Sequence, residues 1–412
     1  MKLDPSRTAR QNSIAKMWWE AGGIGAFLAA TGFGKTRTAM LIINTLKKKY
    51  PSMTTLVAVP TDYLRDQWRS RIRANGFTNV KVDTIHNIVK LSAFEVDFLI
   101  LDELHSYTSP VFSGIFKLVN YRFLLGMTAT LREDPEKNEI LHKHCPIFEE
   151  VTLAECLKNG WVSPFIIYNY ALELTEAERR FYNDMSGKFN KAFGVFGHDL
   201  KLAFRCLNNE MERIAYARQH NWEPKMVLIN ALNLVKNMRK RKDFLYTYGP
   251  LLDEAYQIIE AHGDGRKIIT FSQSTDTADT LTTLLGDRSM SYHSNLKAMV
   301  INGKKYSGKK LKNYIIEQYN NGVIDTINTA KSLDQGVDIQ DIDMSLVCSG
   351  TGSILQAIQR TGRQIRAKEG KQACEINLFI RNTQSEKWLK KRQRKHPSHT
   401  IKYISEINEI VL

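Results

Sequence analysis

The sequence predicts an α/β protein: two tandem parallel-sheet lobes with a mainly helical insert between them. Three observations predict it. Short apolar runs alternate with helical patterns over about residues 24–130, and the same alternation resumes near residue 266. Buried strands alternating with helices form parallel sheets covered on both faces. Between the two series, roughly 173–260, the chain is polar and helical in pattern, with few β-branched runs. At 412 residues it is also too long for one ordinary core.

Taken in order, the first lobe (1–165) has strand-like runs at 25–30, Thr55–Val59, 98–101 and 123–126, with helical patterns at 36–50 and Asp62–Ala74. In the insert (166–260), Thr175 followed by Glu178 reads as an N-cap and capping box that start a helix. The second lobe (261–412) has strand-like runs at 267–271, 324–329 and 344–348, a helix at Thr275–Leu285 and another opening over 353–363. Asn302–Gly303 is a hairpin-turn signal.

Composition narrows the function classes. The formal charge is +15 and the isoelectric point about 9.4, which suits a polyanion partner. No apolar run is long enough to span a membrane, and the N-terminal segment has no secretory h-region. The five cysteines are scattered without a CxxC pair, which argues against both a disulfide framework and a zinc site. These features lead to the expectation of an intracellular, cytoplasmic protein.

The sharpest motif is Ala29–Ala30–Thr31–Gly32–Phe33–Gly34–Lys35–Thr36, a P-loop with Ala29 where glycine is common. An apolar run precedes it and a helical pattern follows. Glycines let backbone N–H groups wrap phosphates, and the helix N-terminus adds its positive end. Thr31, Gly32, Phe33, Gly34, Lys35 and Thr36 are therefore the candidate ATP cradle. Lys35 would reach the β- and γ-phosphates, and Thr36 would ligate Mg²⁺. Downstream, an apolar strand runs into Asp102–Glu103–Leu104–His105. Asp102 would hold Mg²⁺ and Glu103 would act as general base toward the attacking water. Arg360, Arg363 and Arg366 recur every three residues and share one helix face, where permanently charged donors suit a transferring phosphoryl group.

On these residues the chain resembles the superfamily 2 helicases of the DExH type, and the resemblance covers nearly the whole chain. Asp102–Glu103–Leu104–His105 looks like motif II. Val59–Pro60–Thr61 with Gln67–Trp68 looks like motif Ia, and Thr128–Ala129–Thr130 like motif III. Ile269–Thr270–Phe271–Ser272 looks like motif IV. Thr329–Ala330 with Asp334–Gln335–Gly336–Val337–Asp338 is similar to motif V, and Gln356 with Gln359–Arg360–Thr361–Gly362–Arg363 and Arg366 to motif VI.

The resemblance implies two RecA-like lobes with ATP and Mg²⁺ between them. It gives Arg363 and Arg366 the role of arginine fingers and places Gly336 and Asp338 near ATP. His105, Thr128, Thr130 and Gln359 would couple the ATP site to the track. Pro60, Thr61, Thr84, Ser272 and Thr329 would touch the nucleic-acid backbone, and Gln11 would read the adenine edge.

Within the family the chain looks closest to compact DNA translocases of the phage branch-migration and repair type, which would place it in a host cytoplasm. The reading is an ATP-dependent helicase or translocase on duplex or branched DNA, with low sequence preference and room for protein partners. Three alternatives stay open at this level: the motor of a larger nuclease or restriction-type complex, an ATP-switched clamp, and an RNA helicase. Three basic runs, at 236–242, 304–312 and 387–396, could extend the track.

Overall fold

The computed structural model describes residues 4–301, 303–330, 339, 342–353, 373–394 and 396–412. Two separate all-parallel sheets organise the chain. The first lobe opens with helix α1 (Pro5–Glu20), strand β1 (Ile24–Ala29), helix α2 (Lys35–Lys49), strand β2 (Thr55–Val59) and helix α3 (Asp62–Ala74). Strands β3 (Val80–Thr84), β4 (Phe94–Asp102), β5 (Val119–Thr128) and β6 (Ile147–Val151) complete its sheet, in the order β3-β2-β4-β5-β1-β6. The apolar runs seen in sequence are the buried centres of β1, β2, β4 and β5.

The second sheet has the order β15-β7-β14-β13-β8-β12-β9. Its strands are β7 (Phe165–Leu172), β8 (Ile268–Ser272), β9 (Ser289–His293), β12 (Thr326–Ala330), β13 (Met344–Val347), β14 (Ala373–Ile380) and β15 (Ile401–Ile404). The stretch 166–260 therefore does not begin as a helical insert. Residues Phe165–Leu172 form β7, which pairs with β14 along its full length and with β15 on its other side. Pairing, not chain order, decides sheet membership, and this run is apolar enough to be covered on both faces.

The helices that follow are Glu176–Gly194, Leu200–Asn208, Glu210–Gln219 and Pro224–Tyr246. They share a small core of their own around Phe189, Phe196, Cys206, Val227 and Leu234. The first starts at the capping box read from sequence: Glu178 N–H donates to Thr175 Oγ1 at 3.3 Å, and Thr175 N–H donates to Glu178 Oε2 at 2.9 Å. The next helix, Gly249–His262, packs instead into the core of the second sheet through Leu251, Ala255, Ile258 and Ile259.

Between β9 and β12, strands β10 (Met299–Ile301) and β11 (Lys304–Tyr306) pair antiparallel as a tight hairpin, with Gly303 at φ +74°. This is where Asn302–Gly303 predicted one. The helix expected over 353–363 lies outside the described residues apart from Ser353. All five cysteines are buried and free. Among the described residues no helix is long and apolar enough to cross a membrane.

Candidate active site

Parallel sheets present ligand-binding loops at the carboxyl ends of their strands, and the first lobe follows that rule. The loop after β1 enters α2 through Gly32 (φ +92°) and Gly34 (φ +102°). Both values are left-handed, where a side chain is strained. Gly34 is also the N-cap of α2, and no side chain caps that end, so the first-turn N–H groups face the loop. Lys35 Nζ donates to Ala29 O at 3.2 Å, which holds the ammonium over the loop. Thr31 and Thr36 lie on the same turn, half-buried. Phe33 contributes backbone only: its ring is fully buried, 5.6 Å from that of Trp161.

Helix α1 braces this loop from behind. Gln11 Nε2 donates to Phe33 O at 3.0 Å. One turn earlier, Arg7 Nε donates to the same carbonyl at 2.7 Å, and its Nη groups reach Gly32 O and Trp161 O. Gln11 is fully buried, and its Oε1 has no partner among the described residues. A bare buried acceptor fits the exocyclic amine of adenine. The amide nitrogen, by contrast, belongs to the loop. Sequence reasoning missed Arg7; its signal was the spacing, four residues before Gln11 on one helix face.

Asp102 ends β4, beside Met127 of β5 in register, and Thr128 follows beside Leu28 of β1. Asp102 is nearly buried. Its Oδ2 accepts from Trp68 Nε1 at 2.8 Å and its Oδ1 from the Glu103 amide at 2.9 Å. Burial first, then the Glu103 charge, pushes its carboxyl up to about 6, against the Trp68 hydrogen bond. A carboxylate that resists ionising in the free protein welcomes a cation, so Asp102, within electrostatic reach of Lys35, fits a magnesium-bound phosphate.

Glu103 sits at φ +52°, an uncommon backbone for a side chain of this size. That turn points its carboxylate back toward β5. Its Oε2 lies 3.5 Å from both His105 Nδ1 and Thr128 Oγ1. His105 Nδ1 is 2.8 Å from Thr128 Oγ1, and the Thr128 hydroxyl donates to Thr130 O at 3.0 Å. Burial, followed by the charges of Arg132 and Lys35, holds His105 down to about 4. The ring is neutral near pH 7, and with the Thr128 proton directed to Thr130, His105 Nδ1 carries the hydrogen of that contact. The structure thus brings Lys35, Asp102, Glu103, His105, Thr128 and Thr130 to the carboxyl end of the first sheet.

The candidate nucleic-acid residues fall into two groups. Pro60 and Thr61 lie half-buried where β2 turns into α3, and Thr61 caps that helix by accepting from Leu64 N–H at 3.3 Å. Thr61 also lines a groove of about 920 Å³ between the lobes, faced by Tyr292, Lys309, Lys312 and Asn313. Thr84, Ser272 and Thr329 are buried. Ser272 Oγ contacts Ser274 O and Thr329 O, and Thr329 Oγ1 donates to Thr270 O. Both hydroxyls are held by backbone carbonyls at the strand ends of the second sheet. Gly336, Asp338, Gln359, Arg363 and Arg366 lie outside the described residues.

Comparison with known proteins agrees with this geometry. Residues 6–92 match the family model described as type III restriction enzyme, res subunit, and residues 251–368 match the helicase conserved C-terminal domain. The DNA 3'-5' translocase XPB2 of Sulfurisphaera tokodaii is 23% identical over 386 residues, 90% of this chain and 80% of that protein. A putative DNA 3'-5' helicase Rad25 of Haloarcula marismortui is 22% identical over 92% of this chain, which spans only 53% of that relative. The crystal structure of the Pyrococcus furiosus Hef helicase domain superposes with TM-score 0.58 at 16% identity, covering 92% of this chain and 97% of that one. That likeness shows a tandem RecA-like fold. Its ordered motifs and both family matches support a superfamily 2 helicase.

Proposed function

We propose that the chain is an ATP-dependent DNA translocase that acts on duplex or branched DNA. One observation carries the reading. The P-loop, Asp102–Glu103 and the His105–Thr128–Thr130 contacts meet at the carboxyl end of the first sheet, and α3, which touches Asp102, starts in a groove lined by the second lobe. Lys35 and the α2 N-terminus would bind the phosphates, and Gln11 Oε1 would accept from the adenine. Thr36 and Asp102 would hold Mg²⁺, which neutralises phosphate charge when bound. Glu103 would take the proton of the attacking water, with His105 and Thr128 setting its rotamer. Arg363 and Arg366 would complete the site from the second lobe when the lobes close.

Pro60 and Thr61 would touch the DNA backbone, so sequence preference would be low. The archaeal relatives named as DNA translocase and DNA helicase support DNA as the track. A second reading, a motor subunit within a larger assembly, has the res-subunit family match behind it.

A triplex-displacement assay tests the proposal with the chain alone. ATP-dependent release of the third strand, lost in Lys35→Ala, is the expected result. No release by a protein that hydrolyses ATP on DNA would favour the subunit reading.

A further inference from the structure

The indole of Trp68 is only 1% exposed and packs in the first lobe's core with Val57, Val59 and Ile72. A buried tryptophan N–H usually finds an acceptor, and a backbone carbonyl suffices, as Leu124 O does for Trp18 at 3.0 Å. Trp68 instead donates to Asp102 Oδ2 at 2.8 Å, while the Glu103 amide donates to Oδ1 at 2.9 Å. Two donors on two oxygens fix the plane of that carboxylate. One donor is local backbone. The other is carried by a different element, α3.

The far end of α3 faces the groove between the lobes. Thr61, Asp62 and Asp66 line it, opposite Lys309 and Lys312. From residue 61 to residue 68 a helix rises about 10 Å. The core around Trp68 is close-packed, so its ring has no room to swing alone. A tilt of α3 therefore moves the indole, and a hydrogen bond weakens steeply with misalignment.

We infer that Trp68 is a positioning residue. It orients Asp102 toward Mg²⁺ and ties that orientation to where the first turn of α3 sits in the groove. The inference rests on the reading of Asp102 as the magnesium-side carboxylate. It is separate from the Thr128–His105 contacts, which act on Glu103 from β5.

The test is nucleotide binding without turnover. Trp68→Phe keeps an aromatic ring and removes the N–H. Binding of a fluorescent N-methylanthraniloyl-ADP is followed across a Mg²⁺ titration, with and without a short single-stranded DNA. In Trp68→Phe the half-saturating Mg²⁺ should rise on the order of 10-fold, with nucleotide affinity in EDTA unchanged. DNA should shift the Mg²⁺ dependence of the unsubstituted protein and leave that of Trp68→Phe where it is. A role in packing alone would lower both affinities together and would overturn the inference, as would an unchanged Mg²⁺ dependence.

Asp102→Asn run in parallel separates the two levels. If it leaves the Mg²⁺ dependence intact, the reading of Asp102 fails and the inference with it. If it abolishes the dependence while Trp68→Phe changes nothing, the inference alone fails. Should Trp68→Phe not fold, indole ¹⁵N–¹H spectra of the unsubstituted protein decide. Mn²⁺-ADP broadens the indole nearest the metal among the six tryptophans, and that same resonance should move when DNA is added. A resonance indifferent to DNA overturns the inference.

Discussion

Glu103 combines a left-handed backbone with a carboxylate held near His105 and Thr128. Such strain persists only when the surroundings over-determine it, and it gathers at functional sites. Glu103→Gln should bind nucleotide normally and lose turnover by about 100-fold or more, because an amide accepts no proton. Lys35→Ala should abolish turnover yet leave DNA affinity within about twofold, because Lys35 belongs to the loop and not to the groove. Steady-state ATPase and fluorescence anisotropy check the pair.

Asp102 gives a signed pH prediction. Its carboxyl is raised in the fold, chiefly by burial, so the stability it contributes is present below the unfolded value and lost as pH rises through about 6. The size is up to about 3 kcal/mol for a shift of this order. Replacing it by neutral Asn should therefore help more at pH 8 than at pH 5. Thermal melts of the metal-free protein should show the Asp102→Asn midpoint gaining a few degrees relative to the unsubstituted protein between those two pH values. A difference that does not change with pH would mean the carboxylate is not held against ionisation.

Elements carry the next set of constraints. A Cβ on Gly34 would stand 2.7 Å from Gln11 Nε2 and 3.4 Å from Arg7 Nη2, in a backbone that costs a side chain about 1–2 kcal/mol by itself. Gly34→Ala should weaken ATP binding by about 10-fold or more, measurable by calorimetry, while the groove still binds DNA. The capping box of Glu176–Gly194 makes the opposite case. Thr175→Ala should cost about 1 kcal/mol in chemical denaturation and leave turnover untouched, because that helix end lies on the second lobe beside Tyr248.

Much of this was legible in the residues. Thr55–Val59, Asp62–Ala74 and Thr275–Leu285 read correctly to their ends, because turn chemistry and caps bound them. Strand β7 was not legible: nothing local tells Phe165–Leu172 that its partners lie two hundred residues away in β14 and β15. The P-loop and Asp102–Glu103 were readable as patterns. Trp68 was readable only as a family motif, since its hydrogen bond to Asp102 is a product of the packing of α3 on β4. The partners of the Ser272 and Thr329 hydroxyls were not legible for the same reason: each donates to a carbonyl of the adjacent strand, more than fifty residues away in sequence.

At the scale of the whole molecule, the two lobes are joined as well as facing. Phe165, Ile167 and Ala373 of the second sheet extend the first lobe's core, and Glu133 pairs with Lys391 across the lobes at 2.6 Å. The exposed pair is worth little in itself. The shared core joins the lobes on one side, and the groove lined by Thr61 and Lys312 lies between them on another. A chain of charge +15 that grips phosphates there should bind DNA with a steep salt dependence.

The central claim is that ATP turnover in the first lobe answers to DNA held between the lobes. The most direct measurement is the ATPase rate with no nucleic acid, single-stranded DNA, duplex DNA, four-way branched DNA and RNA, each beside Lys35→Ala. The account predicts a rate raised about 10-fold or more by duplex or branched DNA and no turnover in Lys35→Ala. A rate indifferent to every nucleic acid, or raised by RNA alone, would contradict it.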